Sequence, residues 1–180
     1  MIRLLFAVTI STAISLFGTR YLIKWLTEKG IGQPIREDGP GGHRTKAGTP
    51  TMGGIAVVVG AVVAYVISDL YNGKYTRSGL FVMLAILGAG IVGFLDDWLK
   101  VRNARNLGLN KKMKVVGLLL VAFGFAILMV SFTDVHTEVS FTRWDSLSID
   151  LGTVGWVFWA AFIILAMSNA VNLTDGLDGL

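Results

Sequence analysis

Cysteine is absent from all 180 residues. That excludes disulfides, thiolate metal sites and cysteine nucleophiles. Charge is also scarce: Asp, Glu, Lys and Arg make up 16% of the chain, against about 25% in a soluble domain. What replaces it is apolar. Hydrophobic residues account for 53%, the mean hydropathy is +0.65, and the apolar residues fall in long runs. These features describe an all-α, polytopic integral membrane protein. The basic residues are not interleaved with aromatics in a polar groove, so no nucleic-acid partner is expected. The formal charge of +4 fits membrane topology and contact with an anionic lipid bilayer.

About five runs are long enough to span: Leu4–Trp25, Thr51–Tyr71, Gly79–Trp98, Val115–Phe132 and Val154–Asn172. A span needs roughly 20 residues at a rise of about 1.5 Å each. The first run is too long for a signal-peptide core, and no small-residue cleavage site follows it, so it reads as a helix. The connecting segments alternate in charge. The first carries Lys29, Arg36, Arg44 and Lys46. The second is short and holds Asp69, Lys74 and Arg77. The third has Lys100, Arg102, Arg105, Lys111, Lys112 and Lys114 with no acid, and the fourth is acidic apart from Arg143. Basic connections stay in the cytoplasm. The N-terminus is therefore expected outside and the C-terminal end on the cytoplasmic side, with residues 1–180 forming a single membrane domain. Period-two alternation at Val135–Phe141 and Leu147–Leu151 predicts a short external hairpin. His136 reads as a solvated loop residue.

Three polar clusters interrupt this pattern, and the topology puts all of them on the cytoplasmic face. The first is Asp96-Asp97, where a long apolar run ends in two carboxylates. A charge at bilayer depth costs at least roughly 2.5 kcal/mol, so the pair suggests a hard cation or a phosphate-bearing substrate at the interface. A solvated helix end is the plainer alternative. The second is Lys46-Ala-Gly-Thr-Pro-Thr-Met-Gly-Gly54. Thr49 could cap a helix there, Pro50 suits a first turn, and free N–H groups beside a lysine could take an anion. Its glycines could equally serve packing. The third is Asn169-Ala-Val-Asn-Leu-Thr-Asp-Gly-Leu-Asp-Gly-Leu180. Its amides and carboxylates recur at three-residue steps. They can read a nucleobase, a ribose or hydroxyl donors, and the glycines are expected to loosen the backbone there. The lysines after Asp97 can bind phosphate as point charges, although a basic cytoplasmic connection is expected in any case.

Taken together, Thr49-Pro-Thr-Met-Gly-Gly54, Phe94-Leu-Asp-Asp97 and Asn169–Leu180 resemble the phospho-N-acetylmuramoyl-pentapeptide-transferase family, in its order and spacing. Members are about twice as long, with ten spanning helices, so the chain looks like their first half. A further Mg²⁺-binding aspartate and a histidine-rich motif of the family fall outside it. The resemblance implies transfer of phospho-MurNAc-pentapeptide from UDP-MurNAc-pentapeptide to undecaprenyl phosphate, with Mg²⁺, in the bacterial cytoplasmic membrane. It makes Asp96 and Asp97 catalytic and part of the metal environment. It makes Lys46, Thr51, Lys114, Asn172, Asp175 and Asp178 substrate-binding. Direct attack by the lipid phosphate and a covalent aspartyl intermediate both remain open. The alternatives are a related polyprenyl-phosphate GlcNAc-1-phosphate transferase, an inactive fragment, or an ion-site membrane subunit. Gly88, Gly90 and Gly93 would permit the close helix contact of a homodimer.

Overall fold

The computed structural model describes residues 2–31, 52–73, 75–103, 108–140 and 148–178. In chain order they form α1 (Ile2–Glu28), α2 (Gly54–Asn72), α3 (Arg77–Arg102), α4 (Lys111–Phe132), β1 (Glu138–Ser140), β2 (Ser148–Asp150) and α5 (Gly152–Asp178). The five expected helices are present. Four of them, α1, α3, α4 and α5, are long and apolar enough to cross a membrane, whereas the apolar part of α2 is the shorter stretch Gly54–Leu70. The chain is a multi-pass membrane protein.

Most helices run past their apolar stretches. α3 continues to Arg102, so Asp96 and Asp97 lie within its last two turns rather than at its end. α5 continues to Asp178, so Gly176, after Asp175, does not interrupt the helix as expected, while Gly179 lies outside the described residues. Backbone hydrogen bonding sustains a helix where an apolar environment or neighbours favour it, and one glycine costs only about 1 kcal/mol. α2 begins later than expected. Met52 adopts a left-handed backbone, φ 72°, which no helix can include, and the first turn closes from Ile55 N–H to the Met52 carbonyl. Thr49 and Pro50, expected to cap and open this helix, lie outside the described residues; its N-cap position is Gly53, and among the described residues no side chain caps it.

The chain divides into two compact units, each described by itself. The first contains α1, α2, α3 from Gly90 onward and the segment up to Lys114. Here α1 and α2 pack antiparallel: a methyl placed on Gly18 would touch Ala56 at 3.6 Å, while at the other end Arg3 pairs with Asp69. Asp69 is not in the second connection, as its sequence context suggested. It is fully buried within α2, and the Arg3 guanidinium also donates to Ser68 at 3.2 Å. An acid this deep requires a partner, and α1 supplies it.

The second unit contains α3 up to Ala89, α4 from Val115, the hairpin and α5. Phe81 meets Phe132 edge-on, and Phe123 meets Phe158 in the same way. The hairpin pairs Glu138 with Asp150, Val139 with Ile149 and Ser140 with Ser148, antiparallel, as the alternation predicts. His136 is exposed just before it.

In both units the buried apolar residues are mainly small, including Ala56, Ala64, Ala122, Ala126 and Ala161, while Leu4, Phe17, Leu120, Phe158 and Phe162 are exposed. Small residues inside and large ones outside is the membrane pattern, where lipid solvates the large side chains and close backbones supply the contact. Two of the three glycines expected to permit a homodimer serve packing within the chain. A methyl on Gly88 would stand 2.9 Å from Val121, and one on Gly90 would stand 3.0 Å from Val58.

Candidate active site

The site is centred on Asp96, one of three buried polar or charged residues among those described. Its position follows from α3, where the carboxylate falls in a stretch still partly enclosed by protein. Three donors converge on it. Leu109 N–H donates to Oδ1 at 2.9 Å. Lys100 Nζ stands 2.8 Å from Oδ2, and Lys114 Nζ stands 3.2 Å from the same oxygen. Lys100 also bonds Asp97 Oδ1 at 2.9 Å. One ammonium therefore bridges both acids, and Asp96 links the end of α3 to the first turn of α4.

Local geometry explains each placement. Lys100 is four residues after Asp96 and three after Asp97, the two spacings that bring helical side chains together. The acid precedes the lysine, the better orientation for such a pair. Lys114 sits in the first turn of α4, where its N–H bonds back to the Asn110 carbonyl. The chain between the helices approaches so closely that only glycine fits at position 108. A methyl there would collide with the Asp96 carboxylate and lie 2.5 Å from the Asp96 carbonyl oxygen. That approach delivers the Leu109 N–H.

The two acids differ in what remains available. Both oxygens of Asp96 are engaged, and its side chain is 8% exposed. Asp97 is 29% exposed and has Lys100 as its ion-pair partner among the described residues. Two carboxylates against two ammonium groups leave the cluster near neutral. Mg²⁺ is ordinarily held by one or two carboxylates plus substrate phosphates. The residues fit such an ion through Asp97. Asp96 could join through Oδ2 only by giving up a lysine. Among the described residues no group of three metal-ligating side chains occurs.

Of the residues expected from sequence, Asp96, Asp97 and Lys114 come together here. Lys46 and Thr51 lie outside the described residues. Asn172, Asp175 and Asp178 belong to α5 by their backbone, and their side chains lie outside what is described. Asn169 directs its amide at the Leu165 carbonyl of its own helix, at 2.8 Å. Lys100 was read from sequence only as one of the lysines after Asp97 that could bind phosphate, not as a partner of the two acids, and Gly108 was not singled out. The three- and four-residue spacing from the acids was the available signal for Lys100, and Gly108 carried none.

A model of glycosyl transferase family 4 matches residues 79–180, which include the whole of this cluster. The chain belongs to glycosyl transferase family 4. Residues 46–58 also match the phospho-N-acetylmuramoyl-pentapeptide-transferase signature 1, so the segment with Lys46 and Thr51 carries a family pattern. Curated proteins named phospho-N-acetylmuramoyl-pentapeptide-transferase are similar along the whole chain. That of Streptomyces avermitilis is 48% identical over 187 residues, 100% of this chain and 52% of the relative. That of Kineococcus radiotolerans is 46% identical over 194 residues, 100% of this chain and 53% of the relative. That of Cutibacterium acnes is 45% identical over 190 residues, 100% of this chain and 52% of the relative. The chain thus spans about half the length of these family members and matches their N-terminal half.

Proposed function

We propose that this chain is the N-terminal half of a phospho-N-acetylmuramoyl-pentapeptide-transferase, a phosphoglycosyl transferase of the bacterial cytoplasmic membrane with its reacting groups on the cytoplasmic face. The observation that carries this reading is the cluster of Asp96, Asp97, Lys100 and Lys114, built inside the region that matches the family. The lipid substrate is undecaprenyl phosphate and the donor is UDP-MurNAc-pentapeptide.

A phosphate monoester has its second pKa near 6, so the lipid phosphate is largely dianionic at neutral pH and needs no strong base. One of its oxygens attacks the donor phosphorus that bears MurNAc. The bond from that phosphorus to the bridging oxygen breaks, and UMP leaves. The product is undecaprenyl-pyrophosphoryl-MurNAc-pentapeptide. Such a transfer depends mainly on positioning and charge neutralisation. Mg²⁺, when bound, would supply Lewis-acid neutralisation of phosphate charge. Asp97, with the freer carboxylate, would hold it. Asp96 holds Lys100 and Lys114 in place, and their ammonium groups face anionic oxygens as point charges. Lys46, Thr51, Asn172, Asp175 and Asp178 would contact the nucleotide and diphosphate.

Donor choice tests the reading. The protein purified from its native membrane is supplied with undecaprenyl phosphate and Mg²⁺, and UMP release is followed from UDP-MurNAc-pentapeptide and from UDP-GlcNAc. Release from the first donor alone is expected. Release from UDP-GlcNAc alone would replace the reading with the related GlcNAc-1-phosphate transfer, and release from neither would remove the activity.

A further inference from the structure

The second unit contains a groove of about 420 Å³ between α4, β1 and the first turns of α5, within the size range of small-ligand sites. Its lining is of mixed chemistry: Phe125, Ile163 and Ile164 are apolar, and Glu138, Trp156 and Trp159 line it as well.

The hairpin makes Glu138 unusual. In the observed register it stands directly opposite Asp150, and like charges facing across a strand pair are destabilising. Asp150 is satisfied locally: Oδ1 accepts from the Thr137 hydroxyl at 2.7 Å and from Gly152 N–H at 2.9 Å. Glu138 has no ion-pair partner among the described residues. An exposed carboxylate lining the same groove as two indoles suits a cation. Tryptophan is the best aromatic face for one, and a carboxylate adds charge-assisted hydrogen bonds from a primary ammonium. Tryptophans near the end of a spanning helix also lie at head-group depth.

We propose that this groove binds a single membrane lipid with a primary ammonium head group, of the phosphatidylethanolamine class. The ammonium sits between Glu138 and the indoles of Trp156 and Trp159. An acyl chain follows Phe125, Ile163 and Ile164 along the helices. The pattern of charge chooses this occupant: an anionic lipid would meet Glu138 and Asp150 with like charge, and a choline head group cannot donate hydrogen bonds to the carboxylate.

The test uses a variant of the chain in which Trp25, Trp98 and Trp144 are phenylalanine, so that Trp156 and Trp159 alone fluoresce. It is placed in phosphatidylglycerol nanodiscs containing a rising fraction of lipid with brominated acyl chains, carried on ethanolamine, choline or glycerol head groups. Quenching at low mole fraction is expected to be about two- to fivefold more effective for the ethanolamine lipid. Glu138→Gln, an exposed and isosteric change, should bring the three lipids together. Equal quenching by all three head groups would overturn the proposal. So would a preference for the glycerol lipid, or an ethanolamine preference that survives Glu138→Gln.

Discussion

Gly108→Ala is a small change with a large expected effect. The added methyl would lie against the Asp96 carboxylate and 2.5 Å from its carbonyl oxygen. Neither neighbour can yield cheaply. The carbonyl belongs to the backbone of α3, and the carboxylate is held by Leu109 N–H, Lys100 and Lys114. Overpacking of this kind costs about 1–3 kcal/mol. The segment can escape only by withdrawing, which removes the Leu109 N–H from a charged acceptor at a cost of about 1.5–3 kcal/mol. The two are alternative routes, because withdrawal relieves the clash, so a loss of about 1.5–3 kcal/mol follows. Thermal unfolding of the purified protein in detergent measures it, and a midpoint lower by about 3–12 °C is expected. Turnover should fall as well, because Asp96 and Lys114 lose their mutual placement. Gly93→Ala is the control within the 180-residue chain: its methyl would meet nothing within 4 Å, and α3 should keep its stability. A Gly108→Ala midpoint equal to that of wild type would show that position 108 does not press on Asp96.

Three further outcomes are expected. Arg3→Ala leaves Asp69 buried without its partner and should cost about 3 kcal/mol, whereas combining it with Asp69→Leu should recover most of that loss; equal stability of the two variants would contradict the pairing of α1 with α2. Lys100→Ala should lower turnover and stability together, since Lys100 serves both acids, and Lys100→Arg should restore stability better than turnover because a planar fork does not replace a compact ammonium. The Thr137 hydroxyl and the Gly152 N–H hold Asp150 below its ordinary value of 3.8. Its contribution to the hairpin is therefore present above that value and is lost as pH falls through the lower folded one. An NMR titration should find the Asp150 midpoint below 3.8, and Thr137→Val should raise it.

Helices and hairpin were legible because each depends on local patterning. Apolar runs gave the five helices, and alternation gave β1 and β2. Their limits were not legible where a helix continues through polar residues, as α3 does to Arg102 and α5 does to Asp178. Asp69 was misplaced because an acid near the end of an apolar run resembles the start of a connection. Its partner, Arg3, lies 66 residues away, beyond any local pattern. Lys100 was hidden for another reason: a basic segment after a span already has a topological explanation, which masked the spacing to Asp96 and Asp97. Gly108 could not be read at all, since its requirement arises from a backbone approach that exists only in the folded chain. The acidic pair itself was legible, but its division of labour was not. Both carboxylates look alike in sequence, and only burial and partners separate Asp96 from Asp97.

That separation is tested most directly by comparing Asp97→Asn with Asp96→Asn in the protein from its native membrane, recording Mg²⁺-dependent UMP release and thermal stability on the same samples. Asp97→Asn should keep the wild-type unfolding midpoint and lose turnover by about 10²-fold or more. Asp96→Asn should lower the midpoint, because two ammonium groups lose their shared carboxylate. An Asp97→Asn protein that turns over normally, or an Asp96→Asn protein as stable as wild type, would contradict the assignment of catalysis to Asp97 and of organisation to Asp96.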